Sequence, residues 1–367
     1  MISVVKIDHG IKKIVIIKLT IIFLSLFFGT LFGQTATPFF KNGVYDPNIV
    51  TPEEVIGFPI GERPVRYDEA VSYFRTLSET TPRVHLVESG QTHEERPLFY
   101  AIISSNENMA RLANIKTEIS KLADPRTIQS DAEARDIIGT SPAVAWLMYS
   151  IHGDELSGTD ASLQLAYQLA AGSDSLTEEI RRRLVVGIYP MENPDGRERY
   201  LAQMQQWNGQ IPNSDRQSIQ HRGLWPGGRT NHYLFDLNRD WFILSQPETK
   251  ARVKAIHEWN PQLIVDAHEM GSYSTYLFNP PREPINPNFS KIQKKWMMVF
   301  SDDQSAAFDE YGWSYYTREW LEDWYPGYGS SYPYLIGAVG FLYEQASTDG
   351  TLIKRPDGTI LTFREAV

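Results

Sequence analysis

Residues 143–156 read AVAWLMYSIHGDEL, and this stretch decides the fold. Its apolar part, 143–151, has the length and composition of a buried strand and stops at His152. An amphipathic segment, 156–171, follows and is closed by Gly172, a helix stop. Three further apolar runs behave in the same way: 184–189 ends at Pro190, 263–267 ends at His268, and 339–343 ends at Glu344. Upstream, Tyr67, Val71, Phe74 and Leu77 recur at helical spacing, residues 84–87 and 98–103 have strand patterns, and 106–122 and 131–138 have helical ones. Strands alternating with helices give the α/β class: a mixed, mostly parallel central sheet with helices on both faces. Sheets of this kind hold ligands at the carboxyl ends of their strands, where His152, His268 and Glu344 stand.

Composition narrows the chemistry. The chain has 367 residues, enough for one large domain or two ordinary ones, and its 42% hydrophobic content fills a substantial core. A net charge of -10 is poor electrostatics for gripping phosphates, so no nucleic-acid partner is expected. There is no Cys, which excludes disulfides, thiolate nucleophiles and Cys-based metal sites. Any metal is therefore held by His and carboxylate. Lys6, Lys12, Lys13 and Lys18 precede the apolar run 19–32 and the small residue Gly33, the layout of a signal peptide spanning 1–33. Export to the periplasm or the extracellular space follows, with no membrane partner after cleavage; a retained anchor is the competing reading, weakened by Lys18. Residues 34–64 are Pro-rich and read as an N-terminal extension.

His152 and Glu155 are three residues apart where a strand turns into a helix, a spacing at which both can reach one metal ion. A second His-x-x-Glu, His85 and Glu88, lies in a strand pattern, where residues three apart point to opposite faces, and is a decoy. His268 is delivered to the same sheet edge as His152. Two imidazoles and one carboxylate with a fourth position open make a catalytic zinc site for one Zn²⁺ ion. Glu344 supplies a carboxylate beside it, the base that a metal-activated water requires.

With these residues in place the sequence resembles the zinc carboxypeptidases of the carboxypeptidase A type, and more closely their secreted bacterial branch. The family's ligand set fits His152, Glu155 and His268, and its catalytic glutamate fits Glu344. Asn193-Pro194-Asp195-Gly196 follows a strand as in the family, and Asp236-Leu237-Asn238-Arg239 matches the segment whose Asn-Arg pair binds the terminal carboxylate of the substrate. Residues 325–331, YPGYGSS, look like the loop that carries the substrate-capping tyrosine. The resemblance covers about residues 65 to 350, and 65–367 is read as the catalytic domain.

The resemblance implies an exported metallocarboxypeptidase acting on peptide or protein C-termini. Asn238, Arg239 and Tyr325 would bind the substrate's free carboxylate end, with Tyr328 competing with Tyr325 for the capping role. Asp236 would orient a ligand imidazole, and Arg229, or alternatively Arg222, would stabilise the oxyanion. Tyr332, seven positions after Tyr325, would line the pocket for the terminal side chain and favour apolar or aromatic residues. Two other readings use the same scaffold: an amidase for cell-wall or other non-protein amides, and a non-catalytic peptide-binding module. Residues 362–367 read as the opening of a helix where the family usually continues with one that packs on the sheet. A fragment, or a core incompletely covered at this end, is expected.

Overall fold

The computed structural model describes residues 39–40, 43–221 and 223–367. The leader 1–33 and Arg222 lie outside the described residues. From Val44 to Val367 the chain is one compact unit. Its elements run α1 (Pro52–Ile56), α2 (Tyr67–Thr80), β1 (Val84–Gln91), β2 (Pro97–Ile103), α3 (Asn106–Ala110), α4 (Leu112–Ala123), α5 (Asp131–Thr140) and β3 (Ala143–Tyr149). They continue with α6 (Ser157–Ala171), α7 (Ser175–Arg183), β4 (Leu184–Tyr189), α8 (Pro194–Trp207), α9 (Pro247–Trp259), β5 (Leu263–Met270) and β6 (Tyr276–Phe278). The last part holds α10 (Lys291–Tyr311), α11 (Tyr332–Leu335), β7 (Val339–Ala346), β8 (Leu352–Lys354), β9 (Ile360–Thr362) and α12 (Phe363–Ala366).

Seven strands form one sheet in the order β1-β2-β4-β3-β5-β7-β6. The four central strands, β4, β3, β5 and β7, are parallel, and antiparallel partners flank them at both sides. Alternation along the strands splits the core. Val144, Trp146, Met148 and Ile264 face a cluster completed by Ile115 and Ile119 of α4 and Ile256 and Trp259 of α9. Leu147, Val265 and Phe341 point the other way, onto Met297 of α10. A sheet covered on both faces needs apolar residues at consecutive positions, which is why the central strands read as continuous hydrophobic runs.

Several boundaries differ from the sequence reading. Strands β5 and β7 each run three residues further than their apolar stretches, because the ladder continues from His268↔Glu344 to Met270↔Ala346. The helix expected over 106–122 is two helices, broken at Arg111, whose backbone leaves the helical region (φ -122°, ψ 20°). Residues 44–64 of the stretch 34–64 read as an extension belong to the same compact unit as His152, His268 and Glu344: Ile60 is fully buried and Tyr45 bridges to Gly172. At the other end, the expected helix opening is α12, and its Phe363 is buried with Leu156, Tyr200, Leu201 and Met204. Among the described residues no helix is long and apolar enough to cross a membrane.

Candidate metal centre and cleft

His152, Glu155 and His268 converge, with one ligand atom from each lying within 4.8 Å of the others. Their positions follow from local structure. His152 and Glu155 occupy the turn between β3 and α6, which packs so closely on α8 that a Cβ at Gly153 would overlap the Arg197 backbone nitrogen. The turn is also tied to the loop before Arg229, through Gly153 N–H donating to the Gly228 carbonyl at 3.0 Å. His268 comes from β5, and Glu344 is its Cα partner on β7, so both side chains rise from the same face of the sheet.

Each imidazole turns Nε2 outward to a carboxylate and Nδ1 inward. His152 Nε2 lies 3.1 Å from Asp236 Oδ1, and His268 Nε2 lies 2.8 Å from Asp266 Oδ2. An ionised carboxylate only accepts, so each Nε2 carries the proton and donates. The inward atoms then belong to three lone-pair-donating side chains in contact: His152 Nδ1 to Glu155 Oε1 at 2.6 Å, His268 Nδ1 to Glu155 Oε2 at 2.9 Å, and Nδ1 to Nδ1 at 3.2 Å. Such a set is stable only around a cation or with added protons. Its nitrogen and oxygen composition, with each imidazole backed by a carboxylate, fits a zinc ion.

The fields agree with this. Burial works against charge on both rings, yet Glu155 with Asp236 at His152, and Asp266 with Glu155 at His268, hold both imidazoles above their ordinary pKa. Burial also opposes charge on Glu155, but the two imidazoles outweigh it and hold the carboxyl well below its usual range. Glu344 behaves oppositely: burial, with the Glu155 charge adding to it, pushes its carboxyl up to about 8 against the pull of His268.

Arg229 is half exposed and anchored by Asp236, whose Oδ2 accepts from its Nε at 3.1 Å and Nη2 at 2.9 Å. Its Nη1 is left facing the centre, 3.3 Å from His152 Nδ1 and 3.9 Å from Glu155 Oε1. Asp236 therefore serves His152 with one oxygen and Arg229 with the other. The Asn193 motif is structural: Oδ1 caps α8 through Gly196 N–H, and Nδ2 donates to the Arg229 carbonyl at 3.2 Å.

The metal residues open into a cleft of about 340 Å³ walled by Arg229, Asn238, Arg239, Leu321, Tyr328, Ser330, Leu342 and Glu344, among others. Asn238 is buried, and the half-exposed Arg239 guanidinium lies 4.6 Å over the Tyr328 ring. Two expectations are corrected here. Tyr328 faces the cleft, whereas Tyr325 is turned aside: its hydroxyl donates to the Arg239 carbonyl at 3.1 Å and its ring packs edge-on to Phe242. Tyr332 is not a pocket residue but a core one, because α11 carries its ring inward against Trp241 and its hydroxyl meets His257 Nε2 at 2.8 Å. Ser330, two positions earlier, lines the cleft in its place. His85 and Glu88 are both exposed on edge strand β1, and among the described residues neither belongs to a group of possible metal ligands.

Asp266 escaped the sequence reading. Its signal was the alternation within β5, which puts 266 on the face of 268, inside an apolar run where a carboxylate needs a partner.

A family model described as zinc carboxypeptidase matches residues 70–348. No curated protein sequence matches the chain. Among solved structures, a metallo-carboxypeptidase from Burkholderia cenocepacia is similar, with 17% identity and a TM-score of 0.52 over 78% of this chain and 61% of that one. Carboxypeptidase A from Helicoverpa armigera has 16% identity and a TM-score of 0.52, over 80% of this chain and 70% of that one. Bovine thrombin-activatable fibrinolysis inhibitor, solved in complex with tick carboxypeptidase inhibitor, has 15% identity and a TM-score of 0.50, over 80% and 90%. Likeness at such identities is one of fold, and the chain spans about three fifths of the length of the Burkholderia structure, 61%. The family model, by contrast, runs through every residue of the centre, from before His152 to beyond Glu344: the chain belongs to the zinc carboxypeptidase family.

Proposed function

We propose that this chain is an exported zinc metallocarboxypeptidase that hydrolyses the last peptide bond of peptides and proteins. The observation that carries this reading is the meeting of His152 Nδ1, Glu155 and His268 Nδ1 in one buried centre, with Glu344 paired to His268 across the ladder. A zinc ion held by His152, Glu155 and His268 would supply Lewis-acid chemistry and make a nearby water more acidic. Glu344 is the general base: its carboxylate takes a proton from the attacking water and returns it to the leaving amine nitrogen. Burial beside Glu155 raises its proton affinity toward the working pH, as both halves of that task need.

Arg229 Nη1, directed at the centre by the hold of Asp236 on Nε and Nη2, donates to the developing oxyanion. Asn238 and Arg239 hold the free carboxylate, the planar guanidinium being suited to two parallel hydrogen bonds. Tyr328 supports Arg239 from below and walls the cleft. Asp236 and Asp266 fix the tautomers of the two ligand imidazoles. Family membership supports peptide C-termini as the substrate class. Export rests on the lysines and the apolar run ahead of Gly33.

The test is release of C-terminal amino acids from a peptide panel by the purified protein, with and without a zinc chelator. Release that the chelator stops and added zinc restores is the expected result. Cleavage at internal bonds only, or cleavage indifferent to the chelator, would contradict the reading.

A further inference from the structure

The carboxylate-holding role of Asn238 depends on which end of its amide faces the cleft. Two groups that can only donate settle it. Trp241 Nε1–H points at Asn238 Oδ1 from 3.1 Å, and the Gly329 backbone N–H points at the same oxygen from 2.7 Å. The oxygen must therefore face Trp241 and Gly329, and the NH₂ must face the other way. There its neighbour is His268 Nε2 at 3.0 Å, a nitrogen whose proton goes to Asp266 and which has no lone pair to offer. The amide is 6% exposed and lines the cleft, so its hydrogens are aimed at an acceptor that a ligand has to bring.

The clamp is itself held rigidly. Trp241 is fully buried, with the Arg252 guanidinium 4.1 Å over its ring and Tyr332 packed against it at 5.5 Å. Arg252 is fixed in turn by Glu192, 2.6 Å from its Nη1, also deep in the core. Residue 329 has to be glycine: a Cβ there would overlap Asp266 Oδ2 and come within 3.0 Å of the Trp241 ring. Its closeness puts one loop against both the clamp on Asn238 and the carboxylate behind His268.

We infer that Trp241 is a positioning residue for substrate: through its indole N–H, together with the Gly329 amide, it locks the Asn238 side chain with NH₂ toward the cleft, as a donor specific for a free C-terminal carboxylate. This rests on the carboxypeptidase reading and extends it to a residue that touches no substrate. Trp241→Phe removes the N–H while keeping an aromatic ring between Arg252 and Tyr332. Without that donor the amide oxygen is held by the Gly329 N–H alone, and the NH₂ is less firmly directed at the incoming carboxylate.

The experiment measures binding of two peptides, identical except for a free C-terminal carboxylate in one and a C-terminal amide in the other, by calorimetry on the zinc-loaded protein carrying Glu344→Gln. Adding Trp241→Phe should weaken the carboxylate form about 10-fold and leave the amide form within about 2-fold, the scale of one charge-assisted hydrogen bond. Adding it to Asn238→Ala should have no further effect on either peptide, since the two act through one group. Equal loss for both peptides would mean general core damage and overturn the inference. Unchanged discrimination, or an additive loss in the double variant, would overturn it too. Tyr332→Phe, which disturbs the same packing but spares the indole N–H, should keep full discrimination; loss there would also count against Trp241. Failure of the unmodified protein to cleave any peptide would strike the peptidase reading and leave this binding comparison standing.

Discussion

Glu344 is the direct partner of His268 across the parallel β5–β7 ladder, and both are buried on the same face of the sheet. Their distance is therefore set by inter-strand hydrogen bonding and not by a loop, which places the Glu344 carboxylate beside the metal-binding cluster with the rigidity of the sheet. The remaining donors come from the β3–α6 turn, one strand away from β5.

Asp266 tests how far the carboxylates behind the ligands matter. It is fully buried, and its Oδ2 accepts from His268 Nε2 at 2.8 Å. Asp266→Asn should weaken zinc binding by roughly 10- to 100-fold, because the imidazole loses a partner that raises its basicity. Competition with a chromogenic chelator measures this directly. An unchanged zinc affinity would mean that the Asp266 contact is structural only.

Asp323 should make stability depend on pH. Burial pushes its carboxyl from 3.8 up to about 7, only partly offset by hydrogen bonds from Ser330 and from Asn279 Nδ2, the latter at 3.2 Å. The folded state thus keeps a proton that the unfolded chain releases near 3.8. The resulting stabilisation is complete below about pH 4 and is lost as pH rises through about 7. Asp323→Asn cannot ionise, so its advantage over the parent should grow between pH 5 and pH 8, to an order of about 2–4 kcal/mol. Urea melts of both proteins at the two pH values check this. A stability difference that does not change with pH would show that Asp323 ionises freely in the fold.

Substrate preference follows from the cleft wall. Leu321, Leu342 and Met270 line it with Trp320 and Ser330; of the acids beyond the metal centre, Glu322 is paired with Arg282 and Glu269 accepts at Oε1 from the Ser157 backbone N–H and hydroxyl. A basic terminal side chain would meet mainly apolar surface, with Glu322 already held by Arg282 and Glu269 held by Ser157 and pushed toward its neutral form by burial. Peptides ending in Leu or Phe should therefore show kcat/KM about 10-fold or more above those ending in Lys or Arg. Faster release of Lys or Arg would mean that Glu322 leaves Arg282 for the substrate.

The parts legible in the sequence were those that a strand presents at its end. His152, His268 and Glu344 each closed an apolar run, so pattern and chemistry pointed to the same positions. The 320–335 loop was not legible to the same degree, because no periodicity fixes which of its many aromatics point inward. Counting from Tyr325 gave Tyr332, which a four-residue helix carries into the core, while Ser330 and Tyr328 reach the cleft. Strand β6 is three residues long, too short for alternation to register, and it exists because β7 offers an edge. Trp241 read as one aromatic among many. Only the arrangement of its N–H, the Gly329 amide and Asn238 Oδ1 gives it a role.

The role of Glu344 is tested most directly by Glu344→Gln, assayed for zinc content and for turnover of a good peptide in the same preparation. Glutamine keeps the shape of the side chain and cannot accept the proton from water. One zinc per chain should remain, and kcat should fall by about 10²- to 10⁴-fold, the usual contribution of a positioned base. Near-normal turnover with zinc bound would contradict the account.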